Sequence, residues 1–591
     1  MATSKLRWGI LSTGNIAKTF AKGVAGAARG TLAGVASRDP AKAEAFAKEF
    51  GVANAFESYD AMLASPDIDA VYIATPHPQH AEWTIKACRA GKHVLCEKPL
   101  GVNWPEAMAM ADAADEAGVV LMEAFMYRCH PQTKAIYDAI AAGKIGDVQV
   151  IDVSFSFRMD GNPESRLLKN ALAGGGILDV GCYATSFARL IAGAATGKPV
   201  AEPSEVSGSA HLGKTGVDEW AIASLKFDGP GDTAILAQLR TGVRLNADNT
   251  AIVHGTEGTL TVPMFYRPDG WGEENDTGVF TITRDGKTET VETPSEKSCY
   301  AYEADAFAEA VEHGIAQHPA MTPADTLGNM RTLDRWRRAI GLTYEQEKLA
   351  GFLVTTLTRE TLAKAAGAPM EYGNVDGLAK PVSKLIMGVD NQGNLPTAAA
   401  MFDDYFQRGG NTFDTAVVYG RGNSQAFGEW MKLRGVRDEC VFISKGAHTP
   451  NNVPAAVRRE LMMQLDWIGT DHCDVYFLHR DNPDVPAGEF VDVLAELQSE
   501  GLIRGPFGGS NWSVARAKEA MAYAEKSGKP GFGAMSNNLS LAVMNDPVWG
   551  GCVCAHDDDY LAWHEQTQVA NFSWSSQARG FFVPDRDLKE D

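Results

Sequence analysis

At 591 residues the chain is too long for one ordinary hydrophobic core, so at least three folding units are expected. Apolar residues make up 45% and charged residues 22%, the profile of a soluble globular protein, and 75 acidic residues against 54 basic ones exclude nonspecific binding to nucleic acid or an anionic membrane surface. No apolar stretch approaches the roughly 18–20 residues of a membrane span, and the opening MATSKLRWGILSTG enters a strand too soon to be a signal peptide.

The first predicted element is an apolar strand, Leu6–Leu11, running into Ser12-Thr13-Gly14-Asn15-Ile16-Ala17 and a helix over Ala17–Ala25. Strand, small-residue turn and helix is the context in which a glycine fingerprint cradles a pyrophosphate. Gly14 lets the backbone approach the ligand and Ala17 permits close helix–strand packing, while Ser12 stands where the pattern's first glycine normally is. A second strand, Leu32–Ala36, ends in Ser37-Arg38, about 20 residues past the turn. NAD enzymes place a carboxylate there; a hydroxyl and a guanidinium suit a 2′-phosphate instead, which points to NADP(H).

Two further strands in βα rhythm, Ala70–Thr75 and His93–Cys96, end in Pro76-His77-Pro78-Gln79-His80 and in Glu97-Lys98-Pro99. Ligands of open α/β sheets collect beyond the carboxyl ends of strands. Thr75, His77, His80, Glu97 and Lys98 therefore join Ser12, Gly14, Asn15, Ile16, Ser37 and Arg38 as candidate cofactor contacts.

The segments GILSTGNIA, TPHPQH, CEKPLGVN, LMEAFMYRCHP and GGGILDVGCYA resemble the glucose–fructose oxidoreductase/inositol dehydrogenase (Gfo/Idh/MocA) family, in its dihydrodiol and NADP-dependent xylose dehydrogenase branch. The resemblance runs over about residues 5–346. It implies a Rossmann NADP-binding domain over residues 1–125 and an α/β substrate domain with an open, mostly antiparallel sheet over 126–346. That sheet commonly dimerises, so a homo-oligomer is expected. By the same match Lys98 is the catalytic lysine, Tyr183 the catalytic tyrosine and Asp179 its preceding acid. The chemistry agrees: removing hydride from a carbinol carbon requires an acceptor for the hydroxyl proton, and an ammonium beside a phenol is expected to lower its pKa. Asp179 and Tyr183, four apart, share a face if their segment is helical. The chain lacks the arm that precedes the first strand in periplasmic relatives, so exchangeable cofactor is expected.

Gly341-Leu342-Thr343-Tyr344-Glu345 resembles the family's closing segment, and EKLAGFLVTTLTRETLAKAAG reads as an amphipathic helix within a linker over residues 347–377. Residues 378–591 then alternate strands with helices, the strands being Lys384–Val389, Thr412–Val418, Cys440–Lys445, Asp474–His479, Ile503–Ser510, Phe532–Ser536 and Ala570–Trp574. Repeated βα alternation predicts a parallel (β/α)8-type barrel with its site at the carboxyl strand ends. Only seven strands can be counted where closure needs eight. Asp414, Tyr419, Lys445 and His479 fall on neighbouring strand ends, a proton-transfer cluster.

FDTAVVYGRGNSQ, VFISKG, DVYFLHRD and GGSNW resemble the aldo/keto reductase family. By that match Tyr419 is the general acid, Lys445 and Asp414 tune it and His479 orients the carbonyl. Ser510 and Asn511 hold the nicotinamide carboxamide and Trp574 stacks on the ring. Gln425 replaces a usual glutamate, and Ser536 falls near a usual glutamine.

Nine cysteines are scattered without C-x-x-C spacing, and Cys552 and Cys554 sit too close together for a tetrahedral site. Reduced thiols in a cytoplasmic, metal-free protein are expected. The leading expectation is a two-site NADP-dependent oxidoreductase, with a sugar, polyol or diol dehydrogenase in the first half and a carbonyl reductase in the second. The alternatives are a single-site dehydrogenase whose barrel is a binding or assembly module, and a nucleotide sensor without turnover.

Overall fold

Leu6–Leu11 is apolar along most of its length because the strand it forms is covered on both faces. The computed structural model describes residues 5–270, 277–544 and 546–583, in two units: residues 1–353 with 357–359, and 354–356 with 360–591. In the first unit, β1 (Leu6–Leu11), β2 (Gly30–Ala36), β3 (Asn54–Phe56), β4 (Ala70–Ile73), β5 (His93–Glu97) and β6 (Leu121–Ala124) form a parallel sheet of order β3-β2-β1-β4-β5-β6. The order reverses between β1 and β4, which opens a crevice beyond their carboxyl ends. The segments after β1, β4 and β5 all reach that end of the sheet. This is the Rossmann fold expected.

A second sheet follows, of β7 (Val148–Ser156), β8 (Glu205–Leu212), β9 (Asp218–Asp228), β10 (Ala234–Gly242), β11 (Thr250–Gly255), β12 (Thr259–Pro263), β13 (Gly278–Arg284) and β14 (Lys287–Thr293). Its order is β14-β13-β12-β11-β7-β10-β9-β8, and the β7–β10 pair alone is parallel. Along β9, Ala221, Ala223, Leu225 and Phe227 point into the core. The helices Cys182–Ala195 and Pro323–Ala339 pack on that side. The other face leaves Trp220, Ile222 and Leu236 exposed at 40%, 48% and 50%.

Two expectations over residues 170–366 fail. The helical stretch Asn170–Ala195 is 26 residues long and holds an 18-residue window with a mean hydropathy of 1.2, so one apolar stretch does reach the length and composition of a membrane span. Its apolar window is wholly buried in the protein, as a core helix is. The helix expected from Gln346 to Ala366 does not form either; only the short turns Glu345–Glu347 and Leu349–Gly351 appear. Tertiary partners win over local propensity there. Arg337 holds Glu347 at 2.8 and 2.9 Å, and the chain folds back until a Cβ on Gly351 would lie 2.2 Å from Glu345 O. The Val-Thr-Thr run beyond it is β-branched and weakly helical.

The second unit opens with a short hairpin of β15 (Tyr372–Gly373) and β16 (Val382–Ser383). Then β17 (Met387–Gly388), β18 (Thr412–Asp414), β19 (Val441–Gly446), β20 (Val475–Leu478), β21 (Phe507–Ser510), β22 (Ala534–Ser536) and β23 (Ala570–Asn571) pair in parallel in chain order. Helices intervene at each step from β17 to β23. Val441, Ile443, Val475, Phe477, Ala534 and Phe572 fill the inner face. This is a partial (β/α) barrel of seven strands among the described residues. The outermost strands are shorter than expected. At the first, Lys384 pairs back onto Glu371 O and Leu385 turns out to solvent, and at the last, Trp574 bridges to Asn538 instead of continuing the ladder.

The first unit also buries a charge network. Asp325 (2% exposed) accepts from Arg128 Nη2 and Arg189 Nη1, both at 2.6 Å, and both arginines are fully buried. Removing one partner of a buried pair strands the others. Asp325→Ala leaves the Arg128 guanidinium without a carboxylate and Arg189 with Glu202 alone, and is expected to cost about 3–5 kcal/mol in urea unfolding. A loss under about 1 kcal/mol, the range of exposed pairs, would show that the network is not holding the unit together.

Candidate active sites

The first site begins where β1 ends. Ser12, at the position of the missing glycine, takes φ +94, a conformation that glycine adopts by default. Gly14 then precedes the helix Asn15–Gly26 with no side-chain cap and no acidic residue in the first turn. The opening N–H groups are left for an anion. A Cβ on Gly14 would meet nothing nearer than Ser12 Oγ at 3.9 Å, so open space lies over the turn. Asn15 is exposed and Ile16 half-buried beside it. Beyond β2, Ser37 is buried and Arg38 exposed, while Asp39 caps the helix Pro40–Phe50 by accepting from Ala41 N. The Asp39 carboxylate is thus turned to its own helix. These residues fit a phosphorylated dinucleotide.

At the end of β5, Lys98 Nζ donates to the main-chain carbonyl of Asp179 at 2.7 Å and lies 5.0 Å from the centre of the Tyr183 ring. The lysine and tyrosine expected to act together do meet. Asp179 lies in a π-helical turn, Ile177–Gly181, that leads into the helix Cys182–Ala195 carrying Tyr183. The Asp179 carboxylate is taken by Arg166, whose two Nη atoms reach Oδ1 at 3.1 Å. Burial pushes that carboxyl up, but Lys98, Arg166 and His77 together hold it below the usual range. Its carbonyl, not its carboxylate, orients the lysine. Arg166 was not foreseen, because its loop carries no motif.

Tyr183 departs from expectation in one respect. Burial raises its phenol well above the ordinary value, helped by Tyr300 and Glu97, and the neighbouring ammonium does not reverse this. Lys98 faces the ring rather than the hydroxyl, so it gains the attraction of the π face and gives little to the phenolate. The hydroxyl reaches only Met126 Sδ at 3.6 Å, a weak acceptor. Phe125, Tyr127 and Phe155 surround it, with ring centres 5.0–5.8 Å away. Tyr183 is a neutral donor in an aromatic wall.

Around this pair, Glu97 accepts from Tyr72 Oη and from Lys98 N, which fixes the strand end. Thr75 Oγ1 is buried without a partner among the described residues, a hydroxyl left for a ligand. His77 Nδ1 lies 3.2 Å from Ala173 O, and burial keeps the ring neutral. His80 is fully buried, with Nδ1 3.0 Å from Pro99 O and Nε2 2.8 Å from Thr75 O. Neither ring nitrogen is left for a dinucleotide, so His80 braces the ends of β4 and β5 instead of touching cofactor as expected.

In the second unit, Lys445 (3% exposed) donates to Asp414 Oδ2 at 2.9 Å, and Asp414 Oδ1 is buried without a partner among the described residues. Tyr419 ends a 3-10 turn after β18, and its ring packs edge-on to that of His479 at 6.2 Å. His448, unforeseen, packs edge-on to His479 with ring centres 4.9 Å apart. Asp414, Tyr419, Lys445 and His479 do gather on adjacent strand ends. Burial, with Asp414 and Asp390, raises the Tyr419 phenol far above its ordinary value, so Lys445 does not depress it as expected. The ammonium is spent on Asp414. Ser510 and Asn511 stand at the end of β21, but Asn511 Oδ1 already accepts from Val553 N at 3.2 Å. Trp574 is half-buried, and its Nε1 has no partner among the described residues.

Residues 6–125 match a family described as "Oxidoreductase family, NAD-binding Rossmann fold", and 133–261 match "GFO/IDH/MocA C-terminal domain". Residues 384–548 match "Aldo/keto reductase family". The chain is 32% identical to a trans-1,2-dihydrobenzene-1,2-diol dehydrogenase of Mus musculus over 58% of its own length and 99% of that protein's. It is 34% identical to a D-xylose 1-dehydrogenase (NADP(+)) of Haloferax volcanii over 56% and 95%. An aldose-aldose oxidoreductase structure from Caulobacter crescentus is 25% identical, covers 57% of this chain and 97% of its own, and superposes with a TM-score of 0.50.

One positioning group in the first unit yields a pH test. Asp218 Oδ2 accepts from Ile177 N at 2.7 Å and so caps the π-helical turn that carries Asp179. Burial raises its carboxyl to about 7, whereas an unfolded aspartate titrates near about 4. The folded state holds the proton more tightly, so this group's contribution is full below its unfolded pKa and is lost as pH rises through the folded one. In Asp218→Asn that loss disappears. Relative to the wild type, the variant is expected to gain up to about 4 kcal/mol between pH 4 and pH 8 in urea unfolding series. A difference that stays constant over that range would refute the assignment.

Proposed function

We propose, on the premise that this chain belongs to the GFO/IDH/MocA oxidoreductase family and joins to it an aldo/keto reductase family domain, that it is an NADP-dependent enzyme with two sites. The first interconverts a cyclic sugar, polyol or diol with its oxidised form, and the second reduces an aldehyde or ketone. The carrying observation is the meeting of Lys98, Asp179 and Tyr183 beyond the crevice where the sheet order reverses. NADP+ supplies a hydride acceptor, and NADPH a hydride donor.

The open turn at Ser12, Gly14, Asn15 and Ile16 receives the pyrophosphate, and Ser37 with Arg38 receives the 2′-phosphate. The name of the Haloferax relative, which specifies NADP(+), supports that preference. Lys98, with one N–H held by Asp179 O, faces the substrate hydroxyl with its remaining positions and, once it has released one proton to solvent, takes the hydroxyl proton on the free amine lone pair as hydride leaves. Tyr183 stays protonated and donates to the same oxygen, exchanging Met126 Sδ for a better acceptor. The aromatic wall of Phe125, Phe155 and Tyr266 favours a ring-shaped substrate. The names of the diol and xylose dehydrogenase relatives support the same class.

At the second site the neutral Tyr419 phenol gives its proton to a carbonyl oxygen that His479 orients. The Asp414–Lys445 pair keeps that proton supplied. A reading in which the barrel only binds or assembles draws on its seven strands and on the engagement of Asn511 by Val553. The exposed Trp220, Ile222 and Leu236 support a homo-oligomer through the second sheet, and nine free cysteines support a reducing, cytoplasmic setting.

Lys98→Met is expected to lower NADP+-linked oxidation of D-xylose or a trans-diol by about 10²–10⁴-fold and to spare carbonyl reduction. Tyr419→Phe is expected to do the reverse by a similar factor of about 10²–10⁴. Carbonyl reduction untouched by Tyr419→Phe would eliminate the barrel as the reductase. Arg38→Ala is expected to raise the KM for NADP+ by roughly 10–100-fold while leaving that for NAD+ unchanged, since the lost contact is a charge-assisted one.

A further inference from the structure

The second unit holds a buried cation that none of this chemistry uses. Arg480, the residue after His479 at the carboxyl end of β20, is 8% exposed. Its Nη1 is buried and makes no hydrogen bond among the described residues, while Nη2 reaches only Cys552 Sγ at 3.7 Å. A thiol sulfur is a weak acceptor for a guanidinium. Other cations of this mouth and its rim are matched: Lys445 pairs with Asp414, and Arg516 takes Asp481, the acid next to Arg480 in sequence, at 3.0 Å. No ion pair to Arg480 occurs among the described residues.

Burying a charge without a counter-charge is expensive, and the cost is recovered when a ligand brings the opposite charge. A guanidinium is built to take a carboxylate or phosphate through two parallel hydrogen bonds. The place is specific too. His479 packs edge-on to Tyr419, and the Arg480 charge is felt by both groups. A molecule held there presents its neighbouring carbonyl to the Tyr419 hydroxyl.

We propose that Arg480 anchors an oxyanion, the carboxylate or phosphate of a carbonyl substrate reduced at Tyr419. The inference rests on the reading of the barrel as a carbonyl reductase, and it narrows that site's substrates to anionic aldehydes and ketones. The dinucleotide's own phosphates are the other source of such an oxyanion, and the position beside the proton-donating pair favours the substrate.

The test compares 4-oxobutanoate with butanal as substrates of the full chain, using NADPH. In R480M the ratio of kcat/KM for 4-oxobutanoate to that for butanal is expected to fall at least tenfold, with partial recovery in R480K. A ratio cancels any general loss of folded enzyme. An unchanged ratio overturns the proposal, and so does an equal loss for both aldehydes accompanied by weaker NADPH binding, which would give the oxyanion to the cofactor. Titration of 4-oxobutanoate into the NADP+-loaded chain carrying Tyr419→Phe separates this inference from the reading beneath it. Binding at least tenfold weaker in R480M supports the anchor whatever Tyr419 does in turnover; equal binding overturns it.

Discussion

One ammonium ties the two layers of the first unit together at the point where chemistry can occur. Lys98 leaves the end of β5 and donates to the Asp179 carbonyl in a π-helical turn. A widened turn of this kind shifts the ladder by a residue and lets a carbonyl accept from outside the helix. The contact sets the height of Tyr183 over the crevice, because the tyrosine begins the helix that continues the same turn. Asp218 holds the start of that turn and Arg166 holds the Asp179 side chain. Each is an ionisable group spent on geometry.

Burial, more than neighbouring charge, sets the proton affinities of the two site phenols. Both phenols, Tyr183 and Tyr419, are pushed up, since the anionic form would lose its hydration with little to replace it. The nearby ammonium groups are committed elsewhere, to the Asp179 carbonyl in one unit and to the Asp414 carboxylate in the other. Two unrelated folds thus present a protonated tyrosine beside a fixed cation. A protonated phenol is suited to giving a proton to, or holding a hydrogen bond with, an oxygen whose charge changes as hydride moves.

The second unit joins a packed sheet to a polar mouth that is partly unpaired among the described residues. Its seven strands keep their inner face packed by Val441, Ile443, Phe477 and Phe572, so the sheet has a core of its own. At its mouth several polar atoms lie buried and unpartnered among the described residues, including Asp414 Oδ1, His479 Nδ1, Arg480 Nη1 and Trp574 Nε1. Such atoms are costly in a closed protein and are the ordinary condition of a site built to receive a polar ligand.

Local pattern was enough for much of this. Apolar runs closed by Ser12-Thr13-Gly14, by Pro76-His77 and by Glu97-Lys98 mark strands and their carboxyl ends, because a buried strand needs an apolar run and a turn needs small or rigid residues. The same logic counts seven strands in the second half, and it places Tyr419, Lys445 and His479 on neighbouring ends. What it could not supply were partners far away in the chain. Arg337 reaching Glu347 turns a helical pattern into two short turns. His80, polar and beside a motif, is buried between two carbonyls. Arg166, Asp218 and Arg480 carry no spacing of their own. Hydrophobic period and turn chemistry are local and legible in the chain, whereas burial, and with it the charge state and use of each polar group, exists only once distant segments have packed.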